Sequence, residues 1–365
     1  MRGRVPVLLM AVLTASVLGA CSPVAPGPST PTVPREVPDP PTSDDYQGNK
    51  VEPGVGPSLT DVLYVPGGLT GCPTGSDAGC EGVFDGRTYR GSQTMDVYAP
   101  PTGPTTGRPV IVWIHGGFSI VGDKTDLGGV DYPANLLARQ LARGYVVVSL
   151  NYRLNIAVDG PDGLQIPIDP VAAEDLDVAV RFLKANADSW GIDPSRIVLW
   201  GHSWGAWAAA LQATAPGLRT PDWLPASLAT LSPSVAAVVA EAAPTDLPST
   251  LPIALAEVDR TGELGPIDVD ALDPTTMVEN SPQRYADPSD SPIYAMAGPD
   301  DPLVPIQDAE RMADTYAAFG RPDLYRLDVV DRAEGMVLPW AWRGHLSHPG
   351  ANRTEMARFL DAARR

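Results

Sequence analysis

Ser203 lies in Gly201-His202-Ser203-Trp204-Gly205, preceded by the apolar, β-branched run 197–200 and followed by the alanine-rich run 206–213. A serine between strand and helix, with glycines two positions away on either side so that backbones can approach closely, is the arrangement called a nucleophile elbow. The chemistry such a serine could carry is attack by a hydroxyl on an electrophilic centre. A hydroxyl is a weak nucleophile until a base takes its proton, so the rest of the chain must supply a base, an acid that orients it, and donors for an oxyanion. The sequence holds no HExxH, no paired-His helix, no EF-hand loop and no GxGxxG phosphate loop, and so implies neither a metal nor a nucleotide cofactor.

The elements that must position Ser203 follow from the spacing of apolar residues. Runs of four to seven apolar residues alternate with helical patterns, which predicts an α/β fold with a mostly parallel central sheet and helices on both faces. Strands are expected at 110–114, 146–150, 197–200, 235–240, 293–297 and 324–330, with an antiparallel strand at 94–98 and a turn region at 85–90 before it. Helices are expected at 134–143, 171–186, 203–213 and 306–319, with an amphipathic closing stretch at 354–363. In the second of these, Ala172, Leu176, Ala179, Val180 and Leu183 recur at helical spacing and define one buried face.

The 365 residues carry a formal net charge of −18. That balance argues against nucleic acid or an anionic membrane face as the main partner, because phosphate binding needs clustered Lys and Arg, and no cluster is present. At the N-terminus, Arg2 and Arg4 precede a short apolar run over 5–18 and then Leu18-Gly19-Ala20-Cys21. This is the pattern of an export signal over 1–20, too short for a stable membrane span. Its end, LGAC, resembles the lipobox of bacterial lipoproteins, which implies that Cys21 receives lipid and tethers the mature chain to the cell surface. Residues 21–50 follow as a linker rich in Pro, Thr, Ser and Val, too poor in buried surface to fold, and the body occupies 51–365. In an exported protein, Cys72 and Cys80 within CPTGSDAGC are expected to form a local disulfide. Two thiols without a nearby histidine fall short of the four ligands zinc takes.

Five stretches in order carry a resemblance: MDVYAP from Met95, PVIVWIHGGF from Pro109, GYVVVSLNYRL from Gly144, DLDVAVRFLKANADSWGIDPSRIVLWGHSWGA from Asp175, and SPIYAMAGPDDPLVP from Ser291. From Asp96 onward the chain resembles an α/β-hydrolase, and more closely the esterase branch that includes carboxylesterases and hormone-sensitive-lipase-like enzymes. The resemblance implies a serine hydrolase that cleaves small carboxylic esters without a cofactor. In relatives the loop after the strand reads HGGG followed by an aromatic residue. Here it reads His115-Gly116-Gly117-Phe118, one glycine short, and the implied oxyanion donors are the N–H groups of Gly117, Phe118 and Trp204. His115 is then a structural residue that holds the loop.

The resemblance places the acid after the strand at 293–297 and selects Asp301, directly before the short pair Pro302-Leu303 that leads into Val304-Pro305, with Asp300 as the neighbouring alternative. The base is implied to follow the last strand. His202 turns away within the elbow, which leaves His345 as the preferred base and His348 as its alternative, in an insertion that also carries Trp340 and Trp342. Asn151-Tyr152-Arg153-Leu154 matches a family motif with a structural role, Arg153 being held in an internal ion pair, and Asp246 is architectural in the same sense. Residues 246–292 and the tryptophan-bearing loop are expected to cover the mouth as small lid insertions. Trp204 narrows the acyl side and no long apolar lid helix is expected, which together favour short acyl esters over long-chain lipids. The same triad could serve acyl transfer or amide cleavage, and a different class of reading is a surface-tethered binding protein that kept this fold without activity.

Overall fold

The computed structural model describes residues 57–71, 81–128, 133–262, 264–330 and 353–363. The export signal, Cys21, the linker, the pair Cys72 and Cys80, and both late histidines lie outside these residues.

Eight strands form one twisted sheet. In chain order they are β1 (Leu59–Leu63), β4 (Thr94–Tyr98), β5 (Arg108–Ile114), β6 (Val146–Leu150), β9 (Ile192–His202), β10 (Ala237–Glu241), β11 (Ile293–Ala297) and β12 (Tyr325–Val329). Two small hairpins supply the rest: β2 (Glu81–Phe84) with β3 (Arg87–Arg90), and β7 (Val158–Asp159) with β8 (Leu164–Gln165). The order across the sheet is β1-β4-β6-β5-β9-β10-β11-β12. β1 and β4 pair antiparallel, as do β4 and β6, and every later pair is parallel.

Parallel strands need crossovers, and helices α1 (Pro133–Ala142), α2 (Val171–Ala185), α3 (Ala187–Trp190), α4 (Trp204–Thr214), α5 (Leu247–Thr261), α6 (Pro274–Glu279) and α7 (Ile306–Ala318) lie in them, while α8 (Arg353–Ala363) follows the last strand. Side chains alternate between two cores. Val110, Val112 and Ile114 of β5 face the core shared with α2, α4, α5 and α7, while Ile111 and Trp113 face the core shared with α1 and α8. Burial on both faces is why these strands read as unbroken apolar runs rather than alternating ones.

The predicted strands and helices of the body are present, with ends displaced by a few residues. Two regions differ. Residues 85–90 were expected as turn, but only Asp85 and Gly86 turn, and Arg87–Arg90 pairs back on Glu81–Phe84. The register of that hairpin comes from pairing partners, which no local pattern announces. α5 was not expected: 246–292 was read only as small lid insertions, and two prolines, Pro248 and Pro252, fall within the helix. Pro248 falls in the first turn, where an amide has no intrahelical acceptor to lose, and the buried stripe Leu247, Leu251, Ala254, Leu255 and Val258 outweighs the bond that Pro252 forgoes.

Candidate active site

The sheet ends its parallel strands at one edge, and the loops leaving that edge bring the candidate residues together. Ser203 follows β9 directly. Its backbone lies at φ +52°, ψ −117°, a left-handed region that costs a residue with a Cβ about 1–3 kcal/mol. The turn is held from both sides: the Ser203 amide donates to the Glu241 carbonyl at 2.8 Å, and the Ser203 carbonyl accepts from the Trp207 amide at 2.9 Å, opening α4. Only glycine fits at either flank. A Cβ on Gly201 would stand 2.2 Å from the Gly205 carbonyl oxygen, and one on Gly205 would stand 2.3 Å from that of Ile114.

The loop after β5 lies against this turn, so close that a Cβ on Gly116 would be 3.0 Å from the Cβ of Ser203. Gly117 takes φ +105°, with no room for a Cβ before the Val121 carbonyl. Phe118 and Ser119 follow at φ +51° and +61°, so the position where relatives carry a third glycine keeps a left-handed backbone without one. The Gly117 carbonyl accepts from the amides of Ile120 and Val121 at 2.9 and 3.1 Å, which closes the loop into a tight bend.

That bend is clamped by the segment after β6. The His115 ring stacks on Tyr152 with centroids 4.3 Å apart and planes 14° apart, and its Nδ1 lies 2.8 Å from the Gly116 carbonyl. The Tyr152 hydroxyl donates to the carbonyls of His115 and Gly116 at 3.0 and 3.2 Å. The Asn155 amide donates to the Ser119 carbonyl at 2.6 Å. Arg153, next to Tyr152, is buried in ion pairs with Asp175 and Glu174, its guanidinium stacked among the rings of Phe84, Tyr89 and Trp223. The sequence motif thus fixes the glycine loop through Tyr152, while Arg153 fixes the motif. A Cβ on Gly116 would also stand 3.1 Å from His202 Nδ1, so that imidazole lies beside the loop.

Asp301 follows β11 and is buried; its Oδ1 accepts from the amides of Leu303 and Val304 at 2.9 and 3.0 Å. Asp300 is exposed. His345 and His348 lie outside the described residues, so the structure brings together Ser203, the glycine loop and the Asp301 loop without describing a base.

A narrow cleft, partly open to solvent, is lined by Ser203, Phe118 and Trp204, by Leu303 and Val304 of the Asp301 loop, and by Pro244, Thr250, Leu251 and Ala254. The last three come from α5, inside the stretch expected to cover the mouth. Trp204 is buried and stacks on Trp207 at 4.5 Å, and Trp207 in turn donates from Nε1 to the Asn280 carbonyl at 2.7 Å. Since Trp204 opens α4, its amide has no acceptor within the helix and belongs to the partial positive charge at that end.

Three contributors escaped the sequence reading. Asn155 stands just past the recognised motif, and only the fold sets it against Ser119. Asp308 of α7 binds the start of α5 across a long stretch of chain. Glu241 ends the apolar strand AVVAE, and a lone carboxyl closing such a strand was a visible signal. It is fully buried, its Oε1 accepts from Trp200 Nε1, and burial pushes its pKa well above the usual carboxylate range. Among the described residues no group of three or more His, Cys, Asp or Glu side chains could hold a metal ion.

The BD-FAE family model matches residues 95–316, from β4 to near the end of α7. The chain belongs to the BD-FAE family. This BD-FAE chain is 37% identical over 109 residues to Secreted lipase 5 of Gibberella zeae, covering 28% of the chain and 19% of the relative. It is 30% identical over 132 residues to the para-nitrobenzyl esterase of Bacillus subtilis, covering 34% of the chain and 25% of that enzyme. The BD-FAE chain therefore spans a quarter or less of the length of these relatives. Among solved structures it matches a truncated carbohydrate esterase from gut microbiota with a TM-score of 0.54 at 20% identity, over 74% of this chain and 90% of that one. A thermophilic esterase of the Planctomycetes species Thermogutta terrifontis, with propionate bound, matches with a TM-score of 0.51 at 20% identity, over 80% of this chain and 92% of that one. At such identity the likeness concerns the fold, and the fold is that of the α/β-hydrolases.

Proposed function

We propose that this protein hydrolyses carboxylic esters, with short acyl groups, through an acyl-enzyme on Ser203. The observation that carries this reading is the pairing of two strained turns: Ser203 in its left-handed bend, and the Gly117-Phe118-Ser119 bend packed against it. Residues held in sparsely populated backbone regions persist only where their surroundings over-determine them, and they gather at active sites. A binding protein without activity has no need to hold both.

In the proposed reaction the Ser203 hydroxyl gives its proton to His345 as Oγ attacks the ester carbonyl, with His348 as the alternative base. Asp301 orients the imidazole and stabilises the imidazolium; its own carboxylate is fixed by the Leu303 and Val304 amides. Negative charge on the carbonyl oxygen is met by the amides of Gly117, Phe118 and Trp204, the last reinforced by the N-terminus of α4. The imidazolium protonates the departing alcohol, and a water activated by the same base then releases the acid. No cofactor or metal takes part. The apolar cleft beside Ser203, walled by Leu251, Ala254, Leu303 and Val304, receives the acyl group. Export, lipidation at Cys21 and a Cys72–Cys80 disulfide complete the proposal: an enzyme anchored at the cell surface or released outside the cell, acting on small-molecule esters.

Covalent labelling with a fluorophosphonate probe tests the reading. Wild type is expected to label, Ser203→Ala not to label, and His345→Ala to label far more slowly while His348→Ala keeps most of the rate. Labelling that survives loss of His345 but not of His348 reverses the assignment of the base, and a wild type that does not label leaves the binding-protein reading.

A further inference from the structure

Helix α5 has no side-chain cap of its own. Asp246 precedes it, and its carboxylate accepts from none of the first-turn amides; the carboxylate that serves this end comes from another helix. Asp308 of α7, fully buried, accepts at Oδ2 from the amide of Thr245 at 2.7 Å, the amide of Asp246 at 3.2 Å and the hydroxyl of Thr250 at 2.8 Å. Its Oδ1 accepts from Arg311 at 2.5 Å, and Arg311 also reaches Asp246 and Ser249. An anion at a helix N-terminus is favoured by the helix dipole, and three donors converging on one oxygen leave little freedom to the segment that supplies them.

The position of this junction matters. Thr250, Leu251 and Ala254 form one wall of the cleft beside Ser203, and Leu303 and Val304 form another. α7 begins at Ile306, directly after that second wall. The Asp308 carboxylate therefore ties the two walls to each other without touching the reacting atoms. Thr250 is the one polar side chain among the α5 residues that line the cleft, and its hydroxyl is committed to Asp308, so this wall presents no free polar group to a ligand.

We propose that Asp308 is a positioning residue of the active cleft: by holding α5 to α7 through Thr250, it sets the space open to the acyl group and hence the chain-length preference. This rests on the esterase reading of Ser203. The discriminating variants are Thr250→Val, which keeps the shape and removes the hydroxyl, Thr250→Ser, which keeps the hydroxyl, and Asp308→Asn. Each is assayed on p-nitrophenyl acetate, butyrate and hexanoate beside its melting temperature, with hydrogen exchange of 247–261 compared with that of 171–185.

In Thr250→Val a methyl group faces the carboxylate oxygen, which moves α5 outward. Loss of one such hydrogen bond is expected to shift the hexanoate-to-acetate ratio of kcat/KM upward by about threefold or more. Asp308→Asn shifts it further in the same direction, Thr250→Ser keeps the wild-type ratio, and exchange accelerates in 247–261 alone. An active wild type whose ratio is unchanged in folded Thr250→Val and Asp308→Asn overturns this inference and leaves the esterase reading standing. A Thr250→Ser variant that shifts as far as Thr250→Val overturns it as well. Should Asp308→Asn not fold, the two Thr250 variants decide alone. A wild type inactive on all three esters overturns the esterase reading, and the chain-length claim falls with it.

Discussion

The amide of Ser203 donates to the carbonyl of Glu241 at 2.8 Å, while the side chain of the same glutamate accepts from the indole of Trp200, three residues ahead of Ser203 on the strand that delivers it. Beneath the nucleophile turn there is thus a fully buried carboxyl whose pKa burial raises well above the usual value. A carboxyl with a raised folded-state pKa contributes stability that is complete below its unfolded value and is lost as pH rises through the folded one. Glu241→Gln keeps an acceptor for Trp200 and cannot ionise. The variant is expected to gain thermal stability relative to wild type as pH rises from about 4 to about 8, the window above the unfolded carboxylate pKa. Melting temperatures measured across that range check it; a difference that stays constant with pH contradicts the neutral, buried carboxyl.

The glycine loop is held by groups that do not touch the substrate. Tyr152→Phe removes the hydroxyl that serves the His115 and Gly116 carbonyls yet keeps the ring under His115. Because the loop is proposed to act on the transition state, the loss should appear in kcat, by about tenfold or more, with KM little changed. Steady-state kinetics on p-nitrophenyl acetate decide this, and a variant that raises KM at constant kcat would count against the loop as the oxyanion site.

Two glycines with positive φ separate backbone strain from steric exclusion. Gly122 lies at φ +114°, and a Cβ there would stand 2.2 Å from His115 Nδ1, whereas Gly103 lies at φ +99° with nothing within 4 Å. Both alanine variants carry the backbone penalty, of about 1 kcal/mol or more. Only Gly122→Ala must displace His115 and with it the loop, so its rate of fluorophosphonate labelling is expected to fall by about a hundredfold while Gly103→Ala labels like wild type. Equal rates for the two would sink the idea.

The apolar wall from α5 bounds the acyl group. Leu251 is buried and lines the cleft. Leu251→Ala is expected to cost about 2–4 kcal/mol of stability and to move the best p-nitrophenyl ester from short acyl chains toward longer ones. A wild type with its maximum at long chains, or a Leu251→Ala variant with an unchanged profile, is the outcome against it.

Much of the architecture could be read from local patterns, because they are set by periodicity. The apolar runs at 110–114 and 293–297, and that at 146–150 broken only by Ser149, are strands covered on both faces, and the stripe through Ala172, Leu176 and Leu183 is the buried face of α2. The glycines around Ser203 follow from the same logic: the turn they permit is local, so their spacing records it.

What only the tertiary structure decided is whatever depends on two distant segments meeting. α5 forms against the evidence of its prolines, because its buried stripe finds a core and its uncapped start finds Asp308. Tyr152 and Asn155 acquire their purpose because β6 lies beside β5 in the sheet and delivers them to the glycine loop. The resemblance favours Asp301 over Asp300 by position, but its burial and the Leu303 and Val304 amides on its Oδ1 come only with the fold. The sequence by itself determined the strands, the helices and the bend that carries Ser203, since each rests on neighbours a few residues apart; the cleft beside that serine is a product of long-range contacts, and those exist only once the chain has folded.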